Sequence, residues 1–202
     1  MNKLKVQELI SVGVYATVYF FVVAIGTFLL RFTVPTFNTI LIPSMCALLA
    51  GTVYLQVINK IPKFGAITLV GSVMAIFFLV FGYFPLAFIP SALFPLLADI
   101  VQTKSNLSEG IKTKISYTLF SFGLVGPILP LWFMKEAYIT SLVSKGKDMD
   151  YVNSVFEPIT SVSFIVSMGL TIIMSLIGLS IGQRIYNKHF SPNLKKEQIH
   201  GK

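Results

Sequence analysis

Residues 64–98 read FGAITLVGSVMAIFFLVFGYFPLAFIPSALFPLLA, 35 consecutive positions without an ionised side chain. A single helix over this run would be about 50 Å long at 1.5 Å per residue, whereas the hydrocarbon core of a bilayer is about 30 Å thick. Near its middle stands Gly82-Tyr83-Phe84-Pro85, and a glycine followed closely by a proline ends helices. The run therefore predicts two spans, 65–83 and 86–102.

Four further charge-free runs, 9–30, 32–59, 115–134 and 158–183, are each long enough for one crossing of about 20 residues. The predicted architecture is an all-α integral membrane protein with six transmembrane helices, over 9–31, 38–58, 65–83, 86–102, 112–134 and 159–184. They form a single transmembrane domain over 1–202, with an external loop at 135–158 and a basic cytoplasmic tail at 185–202. Basic residues concentrate on the cytoplasmic side of membrane proteins. With the N-terminus inside, six spans put Lys3, Lys5, Lys60, Lys63, Lys104, Lys112, Lys114, Arg184, Lys188, Lys195, Lys196 and Lys202 inside, against Arg31, Lys135, Lys145 and Lys147 outside. Five spans would erase this bias. Both termini are therefore predicted to be cytoplasmic. The basic start Met1–Lys5 leads into an apolar stretch longer than a signal-peptide core, without a small-x-small cleavage site, and reads as a retained helix.

Composition agrees. Hydrophobic residues make up 54% of the chain and charged residues 12%, about half the charge of a soluble domain. The 18 Phe and 8 Tyr exclude an intrinsically disordered chain. The net charge of +8 sits beside the apolar runs, as topology requires, so no nucleic-acid partner is expected. Cys46 is the one cysteine and can form no internal disulfide. Both histidines, His189 and His200, follow the last span. There is no HExxH, G-x-S-x-G or P-loop pattern. The chain is expected to be no enzyme and to carry no metal or cofactor of its own. Asp99 is the acid closest to the apolar runs; it reads as a partner of Lys104 or of a neighbouring helix end, with a coupling or gating role as the alternative.

Small residues recur at helix-packing spacing: Gly13 and Thr17 beside Ala16, Ala47-xxx-Gly51, the row Ser163, Ser167, Thr171 and Ser175, and Gly178-xxx-Gly182. Packing within the bundle accounts for most of them. On the first span, Gly13, Ala16 and Thr17 form a face that could equally dock another membrane subunit. Prolines crowd the outer half, at Pro35, Pro43, Pro85, Pro90, Pro95, Pro127 and Pro130. Around them lie Arg31, Asn38, Tyr83, Phe84, Trp132, Lys135, Glu136, Tyr138, Asn153 and Glu157. Together these predict an aromatic-lined, polar-pointed cavity, open to the outside, for a small planar or anionic ligand. Taken singly, each also fits an aromatic belt or an interfacial anchor.

The six-span plan, the opening KLKVQELISVGVYATVY over Lys3–Tyr19, the stretch KIPKFGAITLVG over Lys60–Gly71 and Leu96-Leu-Ala-Asp99 resemble the Trep_Strep family of small bacterial membrane proteins. That family is regarded as substrate-binding (S) components of energy-coupling factor (ECF) transporters, the vitamin and micronutrient importers of bacteria. The resemblance implies a six-helix S-component bundle in the bacterial cytoplasmic membrane, capturing a vitamin-like or small heterocyclic nutrient at its external face. It also implies partners: a transmembrane coupling protein (the T component) and two ABC-type ATPases. In several S components an Ala-xxx-Ala pattern on the first helix contacts the coupling protein, and Gly13 and Thr17 stand at the matching positions. The rival readings are a stand-alone secondary carrier or channel, a membrane enzyme using Asp99 or Lys135 with Glu136, and a purely structural subunit.

Overall fold

The computed structural model describes residues 4–190, and the regular structure among them is helical throughout. The order is α1 (Val6–Thr33), α2 (Asn38–Leu49), α3 (Gly51–Lys60), α4 (Ala66–Val80), α5 (Phe88–Lys104), α6 (Glu109–Phe122), α7 (Pro130–Phe133), α8 (Lys135–Ser144), α9 (Met149–Phe156) and α10 (Ser161–His189). Single 3-10 turns, Pro85–Ala87 and Gly123–Val125, lead into α5 and out of α6. Of the basic tail expected over 185–202, α10 includes the part up to His189; Lys3 and residues 191–202 lie outside the described residues.

Among the described residues, α1, Pro85–Lys104 and α10 are long and apolar enough to cross a bilayer. The pair α2 and α3, bent by 48°, makes a fourth if counted as one span. The apolar α4 has 15 residues, a length of about 22 Å. The helix expected across 112–134 is shorter than predicted, since α6 ends at Phe122. Beyond it, Gly123 packs on the Pro95 ring, and a Cβ on Gly126 would run into the Ala87 carbonyl. Close packing of this turn against α5 takes the place of further helix.

The break inside the long apolar run is built as the sequence predicts. Gly82 adopts φ +70°, the left-handed conformation that glycine enters without a Cβ clash. The Gly82 N–H donates to the Leu79 carbonyl at 3.2 Å, and the Tyr83 N–H to Phe78 at 2.9 Å, the bond pair of a Schellman helix end. The hydrophobic contact that accompanies such an end is present: the Phe78 and Tyr83 rings lie 5.0 Å apart. Pro85 then opens the turn into α5, where its missing N–H costs nothing.

Backbone contact holds the bundle together on one side. α10 crosses α2 and α3 at their bend, where a Cβ on Gly51 would strike the Gly178 carbonyl and one on Gly178 the Ala47 carbonyl. A Cβ on Gly182 would come within 2.6 Å of the Gly51 carbonyl carbon. The Ala47-xxx-Gly51 and Gly178-xxx-Gly182 patterns are thus two halves of one crossing. Next to it, Ser167 Oγ donates to the Ile40 carbonyl at 2.8 Å, and Ser175 and Thr118 hydroxyls bond at 2.8 Å. On the other side, Gly71 of α4 receives the ring of Pro95. The centre is aromatic: the rings of Tyr19 and Phe120 lie 5.0 Å apart, Tyr54 and Tyr117 4.9 Å, and Tyr54 and Phe120 5.4 Å. The outward faces are apolar, with Val14, Phe21, Ile25 and Phe28 of α1 and Ile172 and Ile173 of α10 exposed.

Asp99 is fully buried and caps α4 from across the bundle. Its Oδ2 accepts from the Gly65 N–H at 2.8 Å, the Thr68 N–H at 3.0 Å and the Thr68 hydroxyl at 2.7 Å. Gly65, the residue before α4, has no side chain to do this itself, so a carboxylate from α5 satisfies the first-turn donors. The helix-end reading of Asp99 is the one realised; Lys104 instead places its ammonium 4.6 Å from the Phe64 ring centroid.

Two expected outcomes follow. Gly51→Leu lowers the thermal unfolding midpoint in detergent, through overpacking of about 1–3 kcal/mol or more, while Gly169→Leu, where open space receives the side chain, leaves it near wild type. Asp99→Ala costs at least the 0.5–2 kcal/mol, roughly, of a lost helix cap. Asp99→Asn, which keeps an acceptor, falls between the two in the same melt; wild-type stability of Asp99→Ala overturns the capping role.

Candidate functional site

The helices define two ends. Lys63 bridges Glu8 at 2.7 Å, and Asp99 reaches Gly65, so the start of α1, the α3–α4 turn, the end of α5 and the start of α6 meet at one end, here called proximal. The end of α1, the start of α2, the 82–87 turn, α7 to α9 and the start of α10 meet at the other, distal end.

The distal end is more structured than the predicted external loop. Within the expected external loop 135–158 the chain forms two short helices, α8 and α9, as a hairpin. Gly146 at φ +77° ends α8, with Gly146 N–H bonded to the Val143 carbonyl and Lys147 N–H to Leu142. Asp148 starts α9, its Oδ1 accepting the Tyr151 N–H at 2.8 Å. Both signals, a glycine stop and an aspartate start, stand in the sequence. Gly146 reads as a breaker from sequence, whereas the polar, mixed charge of the segment hides the helices on either side of it. Thr160 and Ser163 then cap α10 reciprocally.

The ten candidate ligand residues do not converge on one cavity. Arg31, Asn38 and Glu157 line a cleft of about 410 Å³ between α1, the α1–α2 turn and α9, with Thr27, Thr36, Thr39, Tyr151 and Ser154. Tyr83, Phe84 and Tyr138 line a second, of about 200 Å³, with Ser141 and Lys145. There the Phe84 and Tyr138 rings lie 5.9 Å apart, and Lys145 donates to the Gly82 carbonyl. Burial, reinforced by the neighbouring Tyr151 and Tyr83 phenols, pushes the Tyr138 phenol above its ordinary value. An apolar cluster at this end, Val125, Ile128 and Leu131 with Trp132, Tyr138, Val155 and Phe156 packed on it, fills space that the single predicted cavity would occupy. Trp132 donates its Nε1–H to the Thr160 carbonyl at 2.9 Å, and Lys135 sits 5.2 Å from the Phe156 ring centroid. Glu136 and Asn153 are exposed and line neither cleft.

In the larger distal cleft the polar groups differ in availability. Asn38 Nδ2 donates to the Pro35 carbonyl at 2.7 Å and its Oδ1 accepts from Thr39, while Thr27 donates to Val23. Arg31 and Glu157 take part in no ion pair among the described residues. Arg31 therefore offers its planar donors to a carboxylate or phosphate. On α1, Gly13 and Thr17 face outward, whereas Ala16 is buried in the core. The expected three-residue partner face reduces to two.

The sequence reading missed a third cavity, at the proximal end. It measures about 660 Å³ and is lined by Asn59, Lys63, Gln102, Glu109, Gly110, Lys112, Lys114 and Gln183, among others. In sequence its lysines are flanking charges of separate spans, which membrane topology alone accounts for. Among the described residues no group of three His, Cys, Asp or Glu side chains is placed to hold a metal.

A family model described as a hypothetical bacterial integral membrane protein, Trep_Strep, matches residues 6–191. The chain belongs to that family. No curated protein and no solved structure matches it significantly. The match agrees with the apolar outer faces and long helices, and it makes the chain an integral membrane protein.

Trp132→Phe keeps the ring contact with Phe164, 5.4 Å away, but loses the bond that ties α7 to the start of α10. A loss of about 1 kcal/mol is expected, read as a lower unfolding midpoint.

Proposed function

We propose that this Trep_Strep protein is the membrane-embedded substrate-binding subunit of an ATP-driven importer of the ECF type. In this reading the chain spans the bacterial cytoplasmic membrane six times, with both termini and the proximal end cytoplasmic. Charge supports the orientation: Lys5, Lys60, Lys63, Lys104, Lys112, Lys114, Arg184 and Lys188 lie at the proximal end, against Arg31, Lys135, Lys145 and Lys147 at the distal end. Basic residues favour the cytoplasmic face.

The observation that carries the reading is how Asp99 is used. It is the one buried acid among the described residues; three hydrogen bonds commit its Oδ2 to capping α4, while Oδ1 is buried without a hydrogen-bond partner. Proton-coupled carriers use an ionisable group within the membrane that exchanges its partners as it couples. The Oδ2 of Asp99 is tied to the start of α4, which supports leaving the driving force to partner ATPases acting through a coupling protein.

The distal clefts are the proposed place of capture. Arg31 would receive an anionic group of a vitamin-like or small heterocyclic nutrient, with Asn38 and Glu157 beside it and Tyr83, Phe84 and Tyr138 in the adjoining cleft. Lys135, Glu136, Asn153 and Trp132 would shape the rim. The outward Gly13 and Thr17 would let a helix of the coupling protein approach closely.

Affinity purification from mild detergent is expected to recover a coupling protein and two ATPases with the chain. Gly13→Leu with Thr17→Leu is expected to abolish uptake in cells while sparing retention of the co-purifying small molecule. Uptake by the purified chain alone, in vesicles with an ion gradient, would overturn the reading in favour of a stand-alone secondary carrier.

A further inference from the structure

We infer that the proximal cavity is a binding site for an organic phosphate, separate from the distal clefts and independent of the transport reading. Four segments converge on it: the end of α3 with the α3–α4 turn, the end of α5, the start of α6 and the last third of α10. Lys63 comes from the turn, Lys112 and Lys114 from the first two turns of α6, and Gln183 from α10.

Charge in the cavity is one-sided. Three lysines face one carboxylate, Glu109, leaving a surplus of two positive charges; counting Glu8, which bridges Lys63 from the rim, leaves one. A phosphate diester carries one negative charge and a monoester about 1.5 to 2 at neutral pH. Lys114 takes part in no ion pair among the described residues. Lys112 bonds Glu109 at 2.6 Å, yet that carboxylate is 83% exposed while the lysine side chain is only 14% exposed. The carboxylate end of the pair is solvated, which weakens it, so a phosphate entering the cavity can take the place of Glu109 on the largely buried Lys112.

Backbone adds to the side chains. The start of α6 borders the cavity through Glu109 and Gly110, and its N-cap residue, Ser108, makes no side-chain bond to the first turn. First-turn amides and the helix dipole favour an anion there, and nothing lies within 4 Å of the place a Gly110 Cβ would occupy. The remaining wall is apolar, from Leu55, Ile58, Ile61, Ile67 and Leu179. At about 660 Å³ the cavity exceeds a bare phosphate and accommodates the group that carries it. Phosphate on the lysines and carbon on the isoleucines describe either a phospholipid headgroup or a soluble phosphate ester.

The full chain is placed in nanodiscs of phosphatidylcholine, and its unfolding midpoint is read under two additions: phosphatidylglycerol in the disc, or glycerol 3-phosphate in solution. The expected result is a saturable rise with at least one probe, as binding to the folded state requires, and a tenfold or greater weakening in Lys112→Gln with Lys114→Gln. A response to the disc lipid alone assigns the headgroup, and a response to the soluble ester alone assigns the small molecule. Lys60→Gln with Lys188→Gln removes as much charge at the same end but outside the cavity, and is expected to respond like wild type. Lys112→Arg with Lys114→Arg, which preserves charge should the glutamine pair fold poorly, is expected to retain the response. No rise with either probe overturns the site. So does equal weakening in the Lys60 and Lys188 pair, which would mean general attraction to a basic end.

Discussion

Backbone contact between α10 and the bend of α2 and α3 is the constraint on which the rest of the bundle depends. Between helices in lipid the hydrophobic effect supplies no drive, so association rests on close van der Waals approach and interhelical hydrogen bonds. Gly51, Gly178 and Gly182 permit the approach because each Cβ position is already occupied by neighbouring backbone. Hydroxyl side chains then add bonds to the backbone of α2: Ser167 of α10 reaches the Ile40 carbonyl, and the longer Tyr117 of α6 reaches the Ala47 carbonyl at 2.5 Å. The third member, α6, is thereby fixed against the same bend. The aromatic centre of Tyr19, Tyr54, Tyr117 and Phe120 forms around it.

Polar groups inside the bundle are spent on the same task. Tyr54 donates to Ser116, and Ser116 to the Ala98 carbonyl, joining α3, α6 and α5. One residue further along α5, Asp99 reaches α4. Hydroxyls and one carboxylate oxygen thus link four helices, and the acid in this chain stands at the proximal end rather than midway between the ends. This favours capture and release driven from outside the chain over coupling to an ion that the chain itself would carry.

Much of this was legible in the sequence because it is local or periodic. Gly82 and Pro85 announce a stop and a start within four residues, and the small-xxx-small patterns announce helix faces able to touch. Their pairing, Ala47 and Gly51 against Gly178 and Gly182, is not written in either segment, since each pattern accepts any close neighbour. The α8–α9 hairpin was written locally, in Gly146 and Asp148, but polarity disguised it as loop. The split of the candidate ligand residues into two clefts was not legible. Nothing in the order of residues indicates that Val125, Ile128 and Leu131, after α6 has ended early, pack at the distal end between them. The proximal cavity is the extreme case: its lysines come from two segments, and as isolated flanking charges each already had a sufficient explanation in membrane topology.

The two ends differ in how they hold charge, and that difference follows from the helix boundaries. At the distal end the helix termini are closed by their own neighbours: Tyr83 on Phe78, Asp148 on Tyr151, Thr160 with Ser163. Arg31 and Glu157 are left facing a cleft rather than a helix end, able to answer groups of either sign. At the proximal end α4 is already capped by Asp99, so the uncapped start of α6 and the lysines beside it form the main unanswered field there. A ligand with both a negative group and polar functions suits the first environment, and a phosphate suits the second. The aromatic core separates them, and the bent α2–α3 pair reaches both, with Asn38 and Thr39 in the larger distal cleft and Leu55, Ile58 and Asn59 in the proximal cavity. The bend of that pair is where α10 crosses it, and at Gly51, Gly178 and Gly182 backbone meets backbone, leaving little side chain there to absorb a displacement of one end relative to the other.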